Sequence, residues 1–470
     1  MKQMLIRNEE FEQIEDEGEV TSLLNKPASD PANLQLVDEF PNYTQIAHGD
    51  LLSLGLSINT TSYTHGLHRF PAKYIPQVPR WVIKQFATSD SIVLDPFAGS
   101  GTSVIEGLCV VQHTYGIDID PLARLISRAK TERYDIQRIN QISEAILRAE
   151  DEPVGECFLP MSGVKNVDHW FTHKTWRELC QIYTAIERTE CLESEKDLFL
   201  CIFSSILRWV SNADDQTQKT YVSGTLAKTP PPVWETFKRA LNKAINGIVA
   251  FEKVRGSGKS DVLDSSALDI ALPDSSVDLI VTSPPYLDSV DYMYNFMLEY
   301  FWLGPKLGVS SRAEYNARRR SSVGAKNPTE KNELPAEVED LVNVHLIPAY
   351  RKDATLAYFN DMRTHFIEAA RVMKDGARYA LVVGNSQAQS GVIPVHDCLI
   401  RLARAAGLHL EKAFAYRIRR HYMKFPRKGR GGIILMDWII ILKKTDTAIL
   451  ANEDRLPLPN ISIGNDEVAH

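Results

Sequence analysis

The sequence is most informative first through what it lacks. No run in the 470 residues is apolar enough for long enough to span a bilayer. The opening stretch, MKQMLIRNEEFEQIEDEGEV, is acidic and has no apolar signal core. Cysteine is scarce. The six residues (Cys109, Cys157, Cys180, Cys191, Cys201 and Cys398) form no C-x-x-C pair and show no zinc-ligand spacing, so buried free thiols in a reducing compartment are expected. The twelve histidines form no H-x-x-x-H pair with a carboxylate, and no metal is expected. Net positive charge is missing too. At −7 the chain has no global attraction for nucleic acid, so any nucleic-acid face must be built locally. No repeat or low-complexity tract stands out. What remains is a cytoplasmic globular protein of one large or two ordinary domains, away from membranes.

Against that background two short runs carry chemistry. The first follows a strand, Ser91-Ile92-Val93-Leu94, and reads Asp95-Pro96-Phe97-Ala98-Gly99-Ser100-Gly101-Thr102. A helix follows from about Ser103, then a second strand ending at Ile117 and Asp118-Ile119-Asp120-Pro121. Strand, glycine loop, helix, strand and acid in that order open a nucleotide-binding α/β sheet. Gly99 and Gly101 let backbone pass close to a ligand. No Gly-Lys-Ser/Thr follows, and the next glycine, Gly107, is too far on for G-x-G-x-x-G. A nucleoside without phosphates fits better than ATP or a dinucleotide. Asp118 can accept from both ribose hydroxyls, or serve as a cap or turn residue. Asp264, ending the strand Ser260–Asp264, can accept from an adenine amino group or simply form a turn.

The second run is Thr282-Ser283-Pro284-Pro285-Tyr286, after the apolar strand Val277–Val281. Neither proline has an N–H, so the ladder stops and the backbone turns outward in a stiff shape. A hydroxyl, unused carbonyls and an aromatic ring are left at the carboxyl end of a strand, where open α/β sheets bind ligands. That corner suits a planar, amino-bearing group such as a nucleobase. Alone, it reads equally as a turn with a packing tyrosine.

The predicted organisation is an α/β Rossmann-like sheet, mostly parallel, with an antiparallel C-terminal hairpin and a helical insertion. Residues 1–50 read as an N-terminal arm. The sheet domain is discontinuous, over 51–130 and 256–445. The insertion spans 131–255, and 306–350 is a long loop within the second half. Asp288 to Leu303 and Ala354 to Met373 read as helices, Asp375-Gly376 as a turn, and Ala377 to Gly384 as a strand. Residues 446–470 are a polar tail.

Taken together, Asp95 to Thr102 and Ser283 to Tyr286 resemble the two signature loops of S-adenosylmethionine-dependent amino-methyltransferases of DNA. Gly116 to Pro121 resembles the family's ribose-binding segment. His68-Arg69-Phe70-Pro71-Ala72-Lys73 with Pro76 resembles the element that touches the cofactor's methionine end. The resemblance covers roughly 60–130, 258–305 and 360–444. It implies S-adenosylmethionine as cofactor, held by Lys73, Asp95, Pro96, Phe97, Gly99, Gly101, Thr102, Asp118 and Asp264. It implies a catalytic loop of Ser283, Pro284, Pro285 and Tyr286. The target base is extruded from the duplex; its amino group donates to the Ser283 hydroxyl and the Pro284 carbonyl, and Tyr286 stacks on the ring. A loop beginning Thr-Ser-Pro-Pro-Tyr goes mostly with cytosine N4 in this family, and Asp or Asn in place of the serine mostly with adenine N6.

The partner implied is double-stranded DNA, with a cognate restriction endonuclease where the enzyme serves restriction–modification. DNA contact is expected from the cation-dense run Arg417 to Arg430, through Arg417, Arg419, Arg420, Lys424, Arg427 and Lys428, with Arg318-Arg319-Arg320 as a second patch. Target recognition is assigned to the insertion, to 306–350, or to both. An adenine-N6 or RNA amino-methyltransferase is the alternative enzyme, and a nucleic-acid-binding module without transfer is the alternative of another class.

Overall fold

The computed structural model describes residues 34–37, 39–54, 59–71, 73–153, 161–164, 166–215, 219–224, 228–287, 292–325, 333–388, 391–418 and 436–445. Its strands are β1 (Leu34–Val37), β2 (Leu51–Leu54), β3 (Ile92–Asp95), β4 (His113–Ile117), β5 (Lys259–Leu263), β6 (Val277–Thr282), β7 (Met373–Gly384), β8 (Ser386–Ala388), β9 (Gly391–Ile393), β10 (Leu408–Arg417) and β11 (Met436–Lys444). Strands β8 and β9 pair with each other; the others form one sheet in the order β1-β2-β10-β11-β7-β6-β3-β4-β5. Strand β11 is antiparallel to both its neighbours, and the remaining pairings in that sheet are parallel.

The helices are α1 (Gln77–Phe86), α2 (Thr102–Gly107), α3 (Pro121–Thr131), α4 (Ile136–Leu147), α5 (Val167–Trp170), α6 (His173–Arg188), α7 (Glu193–Val210), α8 (Val233–Glu252), α9 (Tyr292–Asn295), α10 (Met297–Leu303), α11 (Arg312–Arg320), α12 (Ala349–Val372) and α13 (Val395–Ala405). Helix α1 covers one face of the sheet, burying Val78, Val82 and Ile83 against Leu279, Val281 and Val382. Helices α12 and α13 cover the other, with Phe359, Phe366 and Leu399 against Ile280, Leu381 and Ile440. Coverage on both faces is why β3 and β6 read as nearly continuous apolar runs. A third core, built from α3, α4, α6, α7, α8 and α10, surrounds the fully buried Trp302. The helices between 136 and 252 therefore pack on α3 and α10.

Strand β3 has β4 on one side and β6 on the other. Connections diverge there, which opens a crevice at the carboxyl ends. The glycine loop leaves β3 into that crevice, and the proline corner leaves β6 into it.

Several local expectations are corrected. Asp375-Gly376 is not a turn: β7 runs through it, with Gly376 at φ +77° and a register shift against β6 between Val277 and Leu279. The stretch 288–303 is not one helix, because Phe296 breaks α9 from α10; residues 288–291 lie outside the described residues. The stretch 306–350 holds α11, capped by the Ser311 hydroxyl on the Glu314 N–H and anchored by the Tyr315 hydroxyl on the Met293 carbonyl at 2.7 Å. With one buried residue in nine, α11 leaves no visible periodicity. Of the expected arm at 1–50, residues 1–33 and 38 lie outside the described residues; the rest packs on the sheet, with β1 pairing β2, β2 pairing β10, and Phe40 and Tyr43 against Trp81. Cys109, Cys191, Cys201 and Cys398 are free thiols, whereas Cys180 is disulfide-bonded.

Candidate active site

Asp95 ties the two corners together. Its Oδ1 accepts from the Thr282 hydroxyl across the crevice (2.5 Å) and from the Phe97 N–H (3.1 Å). Its Oδ2 accepts from the Ser103 hydroxyl on α2 (2.5 Å), and the Tyr74 hydroxyl donates to Ser103 in turn. Burial pushes the carboxyl up to about 6, against the pull of those donors. A carboxylate with both oxygens engaged by protein groups is a positioning residue.

The glycine loop doubles back on itself. The Gly101 N–H donates to the Ala98 carbonyl at 2.7 Å, and the Gly99 N–H to Asp118 Oδ2 at 2.9 Å. Gly99 and Gly101 have φ of +49° and +80°. A Cβ on Gly101 would collide with the Ser127 hydroxyl, and one on Gly99 would lie 3.0 Å from the Phe70 ring. Close approach and left-handed backbone both demand glycine there.

Asp118 follows β4. Besides the Gly99 N–H it accepts the Asp120 N–H on Oδ1 at 2.8 Å. Burial and the neighbouring Asp120 carboxylate push it up to about 7. Asp120 caps α3, accepting from the Leu122 N–H at 2.8 Å and from the Tyr300 hydroxyl at 2.5 Å, all on Oδ1.

The segment 63–74 is clamped onto α2. Glu106, 1 % exposed, bonds His65 Nε2 at 2.8 Å and takes two hydrogen bonds from Arg80, each 2.8 Å. The Lys73 ammonium donates to the His65 carbonyl at 3.0 Å. Burial, then repulsion from Lys243, lowers Lys73 to about 8.

The proline corner is built differently. Among the described residues, no group hydrogen-bonds the Ser283 hydroxyl or the Pro284 carbonyl. Tyr286 is fixed by its hydroxyl, which donates to Asp437 Oδ1 on β11 at 2.8 Å; the Tyr416 hydroxyl holds Oδ2 at 2.8 Å.

One cavity of about 110 Å³ joins the corners. Lys73, Pro96, Phe97, Gly99, Thr102 and Asp118 line it, together with Ser283 and Pro285. Ile119, Ser266 and Ser321 line it and also an adjoining open groove of about 570 Å³. Asp95 and Gly101 stand behind its wall. Pro284 and Tyr286 are not in the wall either. Asp264 lies on the open groove, largely exposed and paired with Arg124 at 2.8 Å. A further small cavity of about 20 Å³ lies beyond Pro71, with His68, Asn295 and Glu299 in its wall.

Sequence reasoning missed Asp120, Ser266, Ala267, Met293 and the Ser321–Val323 wall. Asp120 stands in the segment that resembles the ribose-binding one, but the sequence alone gives it no role of its own. Nothing in the polar stretch after residue 306 marks Ser321 to Val323 as cavity-lining. Of the cationic run, Arg417 ends β10 and is exposed, while Arg419, Arg420, Lys424, Arg427 and Lys428 lie outside the described residues. Arg318 donates to the Ile119 carbonyl at 3.1 Å, and Arg319 lies over the Tyr294 ring at 5.2 Å, so these two brace α11 on the cavity rim. Among the described residues, no cluster of His, Cys, Asp or Glu could hold a metal, and no helix is long and apolar enough to cross a membrane.

A family model described as DNA methylase matches residues 24–127. Type II methyltransferase M.MvaI of Kocuria varians is 27 % identical over 407 residues, covering 79 % of this chain and 86 % of its own length. Type II methyltransferase M.BsoBI of Geobacillus stearothermophilus is 22 % identical over 450 residues, covering 82 % and 86 %. Among solved structures, a SAM-dependent methyltransferase from Methanosarcina mazei aligns at 11 % identity over 77 % of this chain and 96 % of its own, with a TM-score of 0.27.

Proposed function

The chain belongs to the S-adenosylmethionine-dependent DNA amino-methyltransferases, and on that premise we propose that it methylates the exocyclic N4 of cytosine in duplex DNA. The observation that carries this reading is the Thr282–Asp95 bond, which fixes the proline corner against the glycine loop so that Ser283 and Gly99 share one cavity.

The residues present fit the cofactor. Gly99 brings backbone into the cavity wall, Gly101 turns the loop behind it where a Cβ would meet Ser127, Asp118 offers acceptors to ribose hydroxyls, and Lys73 offers a cation to the methionine carboxylate. When bound, S-adenosylmethionine supplies an electrophilic methyl group on a cationic sulfur. The chain supplies positioning and aimed acceptors. The Ser283 hydroxyl and the Pro284 carbonyl accept the two amino hydrogens of an extruded base. Those bonds draw the nitrogen lone pair out of ring conjugation and toward the methyl group. Tyr286, held by Asp437, presents a fixed ring on which the base stacks. The proton lost from the methylated nitrogen leaves through solvent.

The preference for cytosine rests on serine as the loop's first residue after Thr282. DNA as substrate, a role in restriction–modification with a cognate endonuclease, and cytoplasmic residence follow from the relatives' type II character and belong to the same proposal. The test is transfer of labelled methyl from S-adenosylmethionine to duplex DNA, followed by digestion to nucleosides. Label in N4-methylcytosine is expected. Label in N6-methyladenine, or in RNA in preference to DNA, would replace the cytosine reading with one of its alternatives.

A further inference from the structure

Helix α12 fastens the segment after β5 along one face. His365, Glu368 and Arg371 are spaced three apart, so their side chains stand in one row. Glu368 Oε2 accepts the Ile270 N–H at 3.0 Å. Arg371 donates to the Ile270 carbonyl at 2.7 Å and to the Leu272 carbonyl at 3.0 Å. His365 is the inner end of the row and is 0 % exposed. Its Nδ1 lies 2.9 Å from the Ala267 carbonyl, and its Nε2 lies 2.8 Å from the Tyr379 hydroxyl on β7. A carbonyl only accepts, so Nδ1 carries the proton. Burial pushes the imidazole down to about 4 and keeps it neutral. Nε2 therefore accepts, and Tyr379 donates to it.

Two residues that His365 touches line the cavity between the corners. One is Ala267. The other is Phe97 on the glycine loop, whose ring meets the imidazole edge to face at 4.8 Å between centroids. His365 itself is not in the wall, and neither are Ile270 and Leu272. Glu368 and Arg371 already tether the segment to α12. His365 adds a fixed point on β7 and a contact with the glycine loop. Leucine would fill the space and leave a buried carbonyl and a buried hydroxyl unpaired.

We propose that His365 is a positioning residue for cofactor binding, setting from behind the wall where Ala267 stands relative to Phe97. This rests on the S-adenosylmethionine reading above. The proline corner is not among its contacts, so its effect falls on affinity and not on the rate once cofactor is bound.

The test is titration calorimetry of the full chain with S-adenosylmethionine, with single-turnover transfer at saturating cofactor and thermal midpoints alongside. His365→Asn keeps a donor where Nδ1 stands, and so keeps the tie to Ala267. His365→Gln places its amide where Nε2 stands, and so keeps only the tie to Tyr379. Arg371→Ala loosens the same segment at its outer end. His365→Gln should bind S-adenosylmethionine roughly tenfold more weakly, the upper range for losing a neutral hydrogen bond. His365→Asn, which gives up only the ring contact with Phe97, should lose about threefold. Both should transfer near the parent's rate at saturation. Arg371→Ala should lower the thermal midpoint and leave affinity unchanged. Equal affinities for the Asn and Gln variants, or an Arg371→Ala loss as large as that of His365→Gln, would overturn the assignment while leaving the cofactor reading intact. Failure of the parent to bind S-adenosylmethionine would overturn the cofactor reading and this assignment together.

Discussion

The two corners that meet in the crevice are built on opposite plans. Around the glycine loop the polar atoms that set its shape are spent on the protein itself: Asp95 on Thr282, Ser103 and Phe97, Gly99 on Asp118, and Gly101 on Ala98. At the proline corner the Ser283 hydroxyl and the Pro284 carbonyl meet no described partner. Stiffness there comes from covalent geometry and from the distant Tyr286–Asp437 bond, so the acceptors remain available. One corner shapes a cavity; the other presents chemistry. The difference teaches that rigidity and reactivity can be separated: prolines hold a backbone still without consuming the groups that must face a substrate.

Cutting the tie between the corners should have the largest effect. Asp95→Ala removes the acceptor from two buried hydroxyls and one N–H. It should cost about 2–4 kcal/mol in denaturant unfolding and lower single-turnover transfer by roughly a hundredfold or more, since misplacement alone carries such losses. A variant that unfolds more readily yet transfers at the parent's rate would show that the tie is not what aligns the corners.

Loosening only the proline corner should matter less. Tyr286→Phe keeps the ring and loses the bond to Asp437. The transfer rate should drop roughly tenfold, in keeping with the loss of one hydrogen bond to a charged group. Affinity for S-adenosylmethionine, measured by calorimetry, should not move.

The smallest effect lies outside both corners and serves as a control. Glu299, 4 % exposed with Oε2 unpartnered, is pushed up to about 7 by burial. A folded-state value above the unfolded one means that the native protein holds the proton more tightly. Its stabilising contribution is therefore complete below about 4.5 and is lost as pH rises through about 7. Glu299→Gln should be more stable than the parent at pH 8, on the order of 1 kcal/mol, and no more stable at pH 4.5. Thermal or denaturant unfolding at the two pH values reads this directly. Asp95 and Asp118 act in the same direction, so a residual slope is expected.

Much of this arrangement could be read from the residues because the two loops are local. A glycine loop after a buried strand and two prolines after another are short-range features, and their strand ends predict a shared crevice. What escaped depends on long-range packing. Asp120 has no role of its own in the sequence; it emerges only when Tyr300, 180 positions away, is seen donating to the oxygen that caps α3. Asp264 reads as a ligand acceptor until Arg124 is seen occupying it at the rim. Helix α11 was hidden because its polar face dominates its nine residues, and β1 and β2 because four-residue strands carry too little alternation to register. The helical body from 136 to 252 showed its periodicity plainly. That periodicity could not reveal that it would share a core with α10, the second helix after the proline corner.

The division of labour between the corners is tested most directly by measuring cofactor affinity and single-turnover rate side by side for Ser283→Ala and Gly101→Ala. Ser283→Ala should lose rate, roughly tenfold to a hundredfold, and keep the parent's affinity for S-adenosylmethionine. Gly101→Ala places a Cβ against Ser127 at a φ of +80°; it should lose affinity and, at saturating cofactor, recover most of the parent's rate. If Ser283→Ala instead binds S-adenosylmethionine poorly while its rate at saturation matches the parent's, the serine belongs to the cofactor cradle and the assignment of roles is wrong.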